Sequence, residues 1–273
     1  MAIITISREL ASLSEEVAQS LAKQLNFRFV DRKTVEDRML SLGVSQQKLQ
    51  KYDERKPTFF TSLSQDRDDY LHYLKSAIIA EAQSGNCVFL GRGAFAVLKD
   101  VPGLIPVFLL SNMEKRIERV KSYFHCEEKN ARQIISSSDH DRTGFHKYFF
   151  DTEWKDPHNY QITLNTSNLH PQMCAQIIEN MLKYTVTEEI NTLFRQRIKD
   201  ISLAQSVIHH VLYEKHIPVH FLEATVKENN VLLFGVANSA AVSDAAVSAA
   251  KEVPSIENVS SEIQVVHEYS IIP

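Results

Sequence analysis

Short, nearly continuous apolar runs set between stretches of helical spacing constrain this chain most. Ala2 to Ile6, Phe27 to Val30, Cys87 to Leu90, Ile105 to Leu110 and Tyr160 to Leu164 read as strands. Between them, Ser14 to Leu25 reads as a helix with Val17, Leu21, Ala22 and Leu25 on one stripe and Glu15 and Glu16 in its first turn. Asn112 to Tyr123, Glu127 to Ser136, Asp139 to Tyr148 and Pro171 to Tyr184 also have helical spacing. Strands that alternate with helices, and are apolar on both faces, predict a parallel sheet covered by helices. Ligands of such sheets bind beyond the carboxyl ends of the strands. That directs attention to Ser7 to Ser14, Asp31-Arg32 and Gly91 to Gly93.

The pattern changes near Thr185. Thr187 to Leu203 is charged and free of Gly and Pro, which predicts a helical connection. From Ala204 the order reads helix, strand (Val219 to Glu228), turn at Asn229-Asn230, strand (Val231 to Val236), helix (Val242 to Val253) and strand (Ser261 to His267). This predicts a second, compact α+β unit.

Composition narrows the function classes. A net charge of −4 gives no support for nucleic acid as a partner. No run approaches the roughly 20 apolar residues of a membrane helix, and MAIITISREL is too short an apolar run for a signal peptide. Three scattered cysteines, Cys87, Cys126 and Cys174, offer neither a disulfide framework nor zinc spacing, so a cytoplasmic protein is expected. His209, His210, His216 and His220 cluster without metal-ligand spacing and read as surface or cap residues.

The first strand–helix junction is where a phosphate-binding loop would sit. Such a loop uses glycines to wrap backbone N–H groups round phosphates, a lysine for the β/γ-phosphates and a Ser/Thr for Mg²⁺. The chain has seven glycines, none before Gly43, and Glu15 and Glu16 stand near the cationic and metal-binding positions. A carboxylate about 4 Å from a phosphate charge costs roughly 1 kcal/mol in water and about 4 kcal/mol near a protein surface.

An ordered series of segments then carries a resemblance: ITISRE (Ile4 to Glu9), FRFVDRKTV (Phe27 to Val35), GNCVFLGRGAFAVL (Gly85 to Leu98), VFLLSNMEKRIERV (Val107 to Val120), DHDR (Asp139 to Arg142) and EWKDPHNYQITLNTSNL (Glu153 to Leu169). Together they resemble the cytidylate-kinase-like branch of P-loop kinases over nearly all of residues 1–184. The resemblance implies an ATP- and Mg²⁺-dependent transfer of phosphate to a nucleoside monophosphate. Set against the family loop, glycines fall on Arg8, Ala11 and Leu13, the lysine on Ser14 and the Mg²⁺-binding Ser/Thr on Glu16. Ala11-Ser12-Leu13-Ser14 stands where the family has GSGG or similar. On the acceptor side the resemblance implies nucleotide contacts from Asp31, Arg32, Arg92, Asp139 and Arg142. Arginine forks suit phosphate or base, and aspartate suits ribose or base donors. Other readings stand beside these. Arg92 could pair with an acidic neighbour and pin a turn, and Asp139 with Arg142 could be an i,i+3 surface pair. Ile135 occupies the place of the preceding lid arginine, with Arg132 nearby. Lys115, Arg116, Arg119 and Lys121 read as a solvated helix face.

Residues 203–268 resemble a BON domain, on the run NNVLLFGVANSAAVSDAAVSAAKEVPSIENVSSEIQV with Gly235 at the strand exit. The resemblance implies a binding role of the lipid, polysaccharide or protein kind, here expected to be a protein partner or self-association, and no catalytic residue. The expected organisation is therefore a kinase-like domain (1–184), a helical linker (185–202) and a BON-like domain (203–273). The expected function is a catalytically impaired nucleotide-sensing or scaffolding protein with a CMP-like ligand and no assured cofactor. The alternative is an active ATP–Mg²⁺-dependent kinase of (d)CMP or another small molecule with an atypical loop.

Overall fold

A computed structural model describes residues 1–51 and 64–266. The chain divides into two compact units, Met1–Phe194 and Arg195–Pro273.

The first unit is built on a five-stranded sheet of β1 (Ile3–Arg8), β2 (Arg28–Val30), β3 (Cys87–Leu90), β4 (Leu104–Leu110) and β5 (Ile162–Asn165). The order is β2-β3-β1-β4-β5 and every pairing is parallel. Its helices are α1 (Ser14–Leu25), α2 (Arg32–Ser41), α3 (Gln46–Lys51), α4 (Ser64–Ala82), α5 (Ala94–Val97), α6 (Met113–Phe124), α7 (Glu128–Phe150) and α8 (Pro171–Thr185). The apolar strands are buried on both faces, as the sequence predicts. Ile4, Ile6, Val88, Leu90, Ile105, Val107 and Leu109 share one core with Val17, Ala18 and Leu21 of α1 and Cys174, Ala175 and Ile178 of α8. Each such side chain contributes about 1.5–3 kcal/mol on burial. On the other face Phe108 stacks on Tyr160 and meets Trp154 edge-on. The carboxyl ends of β1, β2 and β3 come out side by side.

One expectation changes here. Glu127 to Ser136 and Asp139 to Tyr148 form a single 23-residue helix, α7. The Ser136-Ser137-Ser138 run lowers helix propensity by only tenths of a kcal/mol per residue, while Ala131, Ile135, Phe145 and Phe149 bury one side.

The second unit holds a mixed sheet of β6 (His220–Lys227), β7 (Asn230–Ala237) and β8 (Asn258–Val265), with α10 (Ala240–Glu252) on one face. The helix predicted from Thr187 and the one predicted from Ala204 are one element, α9 (Glu188–His209), which runs into a π-helical turn, His210–Glu214. His209 stacks on Tyr213. The hairpin turn falls one residue earlier than expected: Lys227 pairs with Asn230, and Glu228 and Asn229 both have positive φ, as a two-residue type I′ turn requires. β8 starts at Asn258, not Ser261, because its parallel ladder runs the whole length of β7 from Asn230. His267, the expected end of that strand, lies outside the described residues. Among the described residues no helix is long and apolar enough to cross a membrane.

Candidate functional site

The loop Glu9–Leu13 leaves β1 and enters α1. Ala11 and Leu13 both have left-handed backbone, with φ of 61° and 56°. These are two of the positions aligned with family glycines, so the chain keeps a glycine-type backbone with side chains that resist it. Such a conformation costs an L-residue roughly 1–2 kcal/mol. Ser12 is buried and donates its hydroxyl to the Glu9 carbonyl at 2.9 Å. Glu15 and Glu16 occupy the first turn of α1, and Glu16 acts electrostatically on Arg119. Arg8, at the tip of β1, lays its guanidinium against Gly91. A Cβ on Gly91, whose φ is +82°, would collide with it.

Two arginines of α6 hold this loop from behind. Arg116 donates through Nε to the Leu10 carbonyl at 2.8 Å, and Arg119 through Nη1 to the Ala11 carbonyl at 2.9 Å. Arg119 also reaches the Thr166 carbonyl at 2.8 Å. Arg116 is 3% exposed and grips Asp139 with both terminal nitrogens, at 3.0 and 2.7 Å. Lys155 closes the circuit by bonding Glu9 at 2.8 Å and Asp139 at 3.3 Å. Burial works to raise the Asp139 pKa, but Arg116 and Lys155 outweigh it and hold the carboxyl below its ordinary range. These arginines are not the solvated face the sequence suggests. Arg116 lies on the same helical stripe as Ile117 and Val120, and that spacing is the signal by which it could have been found.

Beyond the tip of β2, Asp31 caps α2, accepting from the backbone N–H and the hydroxyl of Thr34, both at 2.8 Å. Arg32 bonds Glu36 at 2.7 Å, and Glu36 Oε1 is shared with Arg92. Arg92 stands in left-handed backbone (φ 57°) after β3 and is 1% exposed. Its Nη2 pairs with Glu36, while Nε and Nη1 are buried without a hydrogen-bond partner. The structure thus brings Arg32 and Arg92 together on Glu36, a residue the sequence does not single out, while Asp31 is taken up by its cap. Asp139 and Arg142 do not pair with each other: Asp139 belongs to the Arg116–Lys155 circuit, and Arg142 bonds Ser138. Arg132 pairs with Glu128 one turn away, and Ile135 is buried. Among the described residues no cluster of three His, Cys, Asp or Glu could hold a metal ion.

A five-stranded parallel sheet in this order, with a loop from the central strand into α1, is a kinase-like fold. The profile of the cytidylate kinase-like family matches residues 3–168, and that of the BON domain matches residues 199–267. The chain belongs to the cytidylate kinase-like family and carries a C-terminal BON domain. Among solved structures, an uncharacterized protein from Eubacterium ventriosum is similar over 67% of this chain and 99% of its own, at 20% identity and a TM-score of 0.54. Shikimate kinases also match: that of Aquifex aeolicus at 14% identity over 67% and 96% of the two chains, TM-score 0.36. That of Acinetobacter baumannii, in complex with shikimate, matches at 13% over 68% and 96%, TM-score 0.40. No curated protein matches the chain.

Proposed function

We propose that this chain is a kinase-fold protein that binds a CMP-like nucleoside monophosphate on the acceptor side but does not transfer phosphate, and that its BON domain is the partner-binding half. Arg92 carries this reading: a guanidinium 1% exposed, with Nε and Nη1 unpartnered. A buried donor without an acceptor costs about 1–3 kcal/mol. Phosphate oxygens supply acceptors for such donors in charge-assisted hydrogen bonds. Glu36 is the internal stand-in for that anion, its carboxylate shared by Arg92 and Arg32.

The donor side does not suit ATP–Mg²⁺. From Glu9 to Glu16 the loop carries no cationic side chain and three carboxylates, Glu9, Glu15 and Glu16. The neighbouring cations Arg116, Arg119 and Lys155 are engaged by the loop carbonyls and by Glu9 and Asp139. Phosphoryl transfer depends almost wholly on positioning and on neutralising charge, and both are lacking here.

One observation favours the second reading, an active kinase with an atypical loop. The backbone keeps its left-handed turns at Ala11 and Leu13, and Arg8 reaches towards Gly91 beside it. The two readings separate in an assay of ⁣phosphate transfer from ATP–Mg²⁺ to CMP and dCMP. The proposed function predicts no transfer above that of an Arg92→Lys variant. Transfer that is lost in a folded Arg8→Ala variant would establish the kinase.

A further inference from the structure

The hairpin of the BON domain presents a strained aromatic residue. His220 pairs with Val236 and Glu223 with Phe234, so Phe221 and Leu222 together face the single residue Gly235. That is a β-bulge, and its first residue has φ of 52°, a left-handed position that normally goes to glycine. For a bulky side chain this is a true outlier. Gly235 permits the bulge, since a Cβ there would press on the Val219 side chain at 2.8 Å and the His220 carbonyl at 3.0 Å. Leu222 is buried, but Phe221 is 78% exposed, so burial of its ring does not offset the strain. Strain of this kind concentrates at functional sites.

The neighbouring sheet face has a definite chemistry. Leu222, Val226, Val231, Leu233 and Ile263 point into the core shared with α10. Strand alternation puts Glu223, Phe234 and Glu262 on the opposite face. Their register places Phe234 directly between Glu223 on β6 and Glu262 on β8. Both carboxylates are exposed, and neither makes a hydrogen bond or ion pair among the described residues. Leu232 and Val236, half-buried, extend the apolar row along β7. The cation of this face, Lys227, lies at the hairpin end, four pairs and so roughly 13 Å from Phe234.

We infer that this face docks a basic, amphipathic segment of a protein partner. A lysine or arginine set over Phe234 meets the ring quadrupole and a carboxylate on each side. Apolar residues of the same segment cover Leu232 and Val236. The inference rests on the proposal that the BON domain is the partner-binding half, and it names the surface and the partner's charge.

The test uses the full chain, isotope-labelled, titrated with a nine-residue peptide of alternating lysine and leucine and with its glutamate counterpart. Amide shifts are expected at Glu223, Phe234 and Glu262 with the lysine peptide alone. Phe234→Leu keeps the row apolar but removes the ring, so it should weaken binding at least fivefold. Glu223→Gln/Glu262→Gln should weaken it similarly. Unchanged affinity in these variants would overturn the inference. Shifts elsewhere in residues 199–266 would overturn this surface but leave the domain its binding role. Shifts confined to residues 1–194 would overturn both. Anionic vesicles of phosphatidylglycerol that shift these residues where the peptide does not would replace the protein partner with a lipid surface.

Discussion

Two buried guanidinium groups behave in opposite ways, and the difference lies in their partners. Arg116 is saturated: it serves Asp139 with two nitrogens and the Leu10 carbonyl with the third. Arg92 has one carboxylate and two idle donors. If Glu36 occupies the place of a ligand anion, removing its charge should free Arg92 for that anion. Glu36→Gln should therefore bind CMP more tightly, by about tenfold or ~1.4 kcal/mol. Equal or weaker affinity in a titration would count against Glu36 as the stand-in. Asp139 gives a pH signature. Its folded pKa is depressed, so its contribution to stability is present above the unfolded value of about 3.9 and is lost as pH falls through the folded value. In urea unfolding between pH 6 and pH 2.5, Asp139→Asn should be less stable at the upper end and show a shallower loss below about pH 4. Parallel curves for the variant and the parent protein would contradict the circuit.

At the scale of elements, the loop between β1 and α1 holds left-handed backbone at two residues that are not glycine, Ala11 and Leu13. Ala11 at φ 61° should be relieved by glycine, and Ala11→Gly is expected to stabilise the chain by about 0.5–1 kcal/mol. Chemical denaturation checks this, and a loss of stability would show that the turn is not strained. The strands and most helices were legible because continuous apolar runs and the stripes of α1 and α8 admit few alternatives. The continuity of α7 was not, because three serines look like a break until Phe145 and Phe149 are seen to bury beyond them. In the site, the tips at Arg8, Asp31-Arg32 and Arg92 were legible from strand endings. The roles of Glu36, Arg116 and Lys155 were not. Each depends on a partner far away in sequence, Arg92 for Glu36 and Asp139 for the other two, and no local spacing encodes such pairs.

For the whole molecule, each of the two units has a core of its own. In the first unit an arginine with two unpartnered nitrogens stands at the tip of β3, and the cations beside the β1–α1 loop are engaged by the chain's own carbonyls and carboxylates. The second unit contributes a separate core and an exposed sheet face. The central claim is that the acceptor side can still bind a nucleotide while the donor side cannot. Calorimetric titration of the full chain with CMP, and separately with ATP–Mg²⁺, tests it most directly. The account predicts saturable heat with CMP, lost in Arg92→Lys, and none with ATP–Mg²⁺. Saturable binding of ATP–Mg²⁺ with no response to CMP would contradict it.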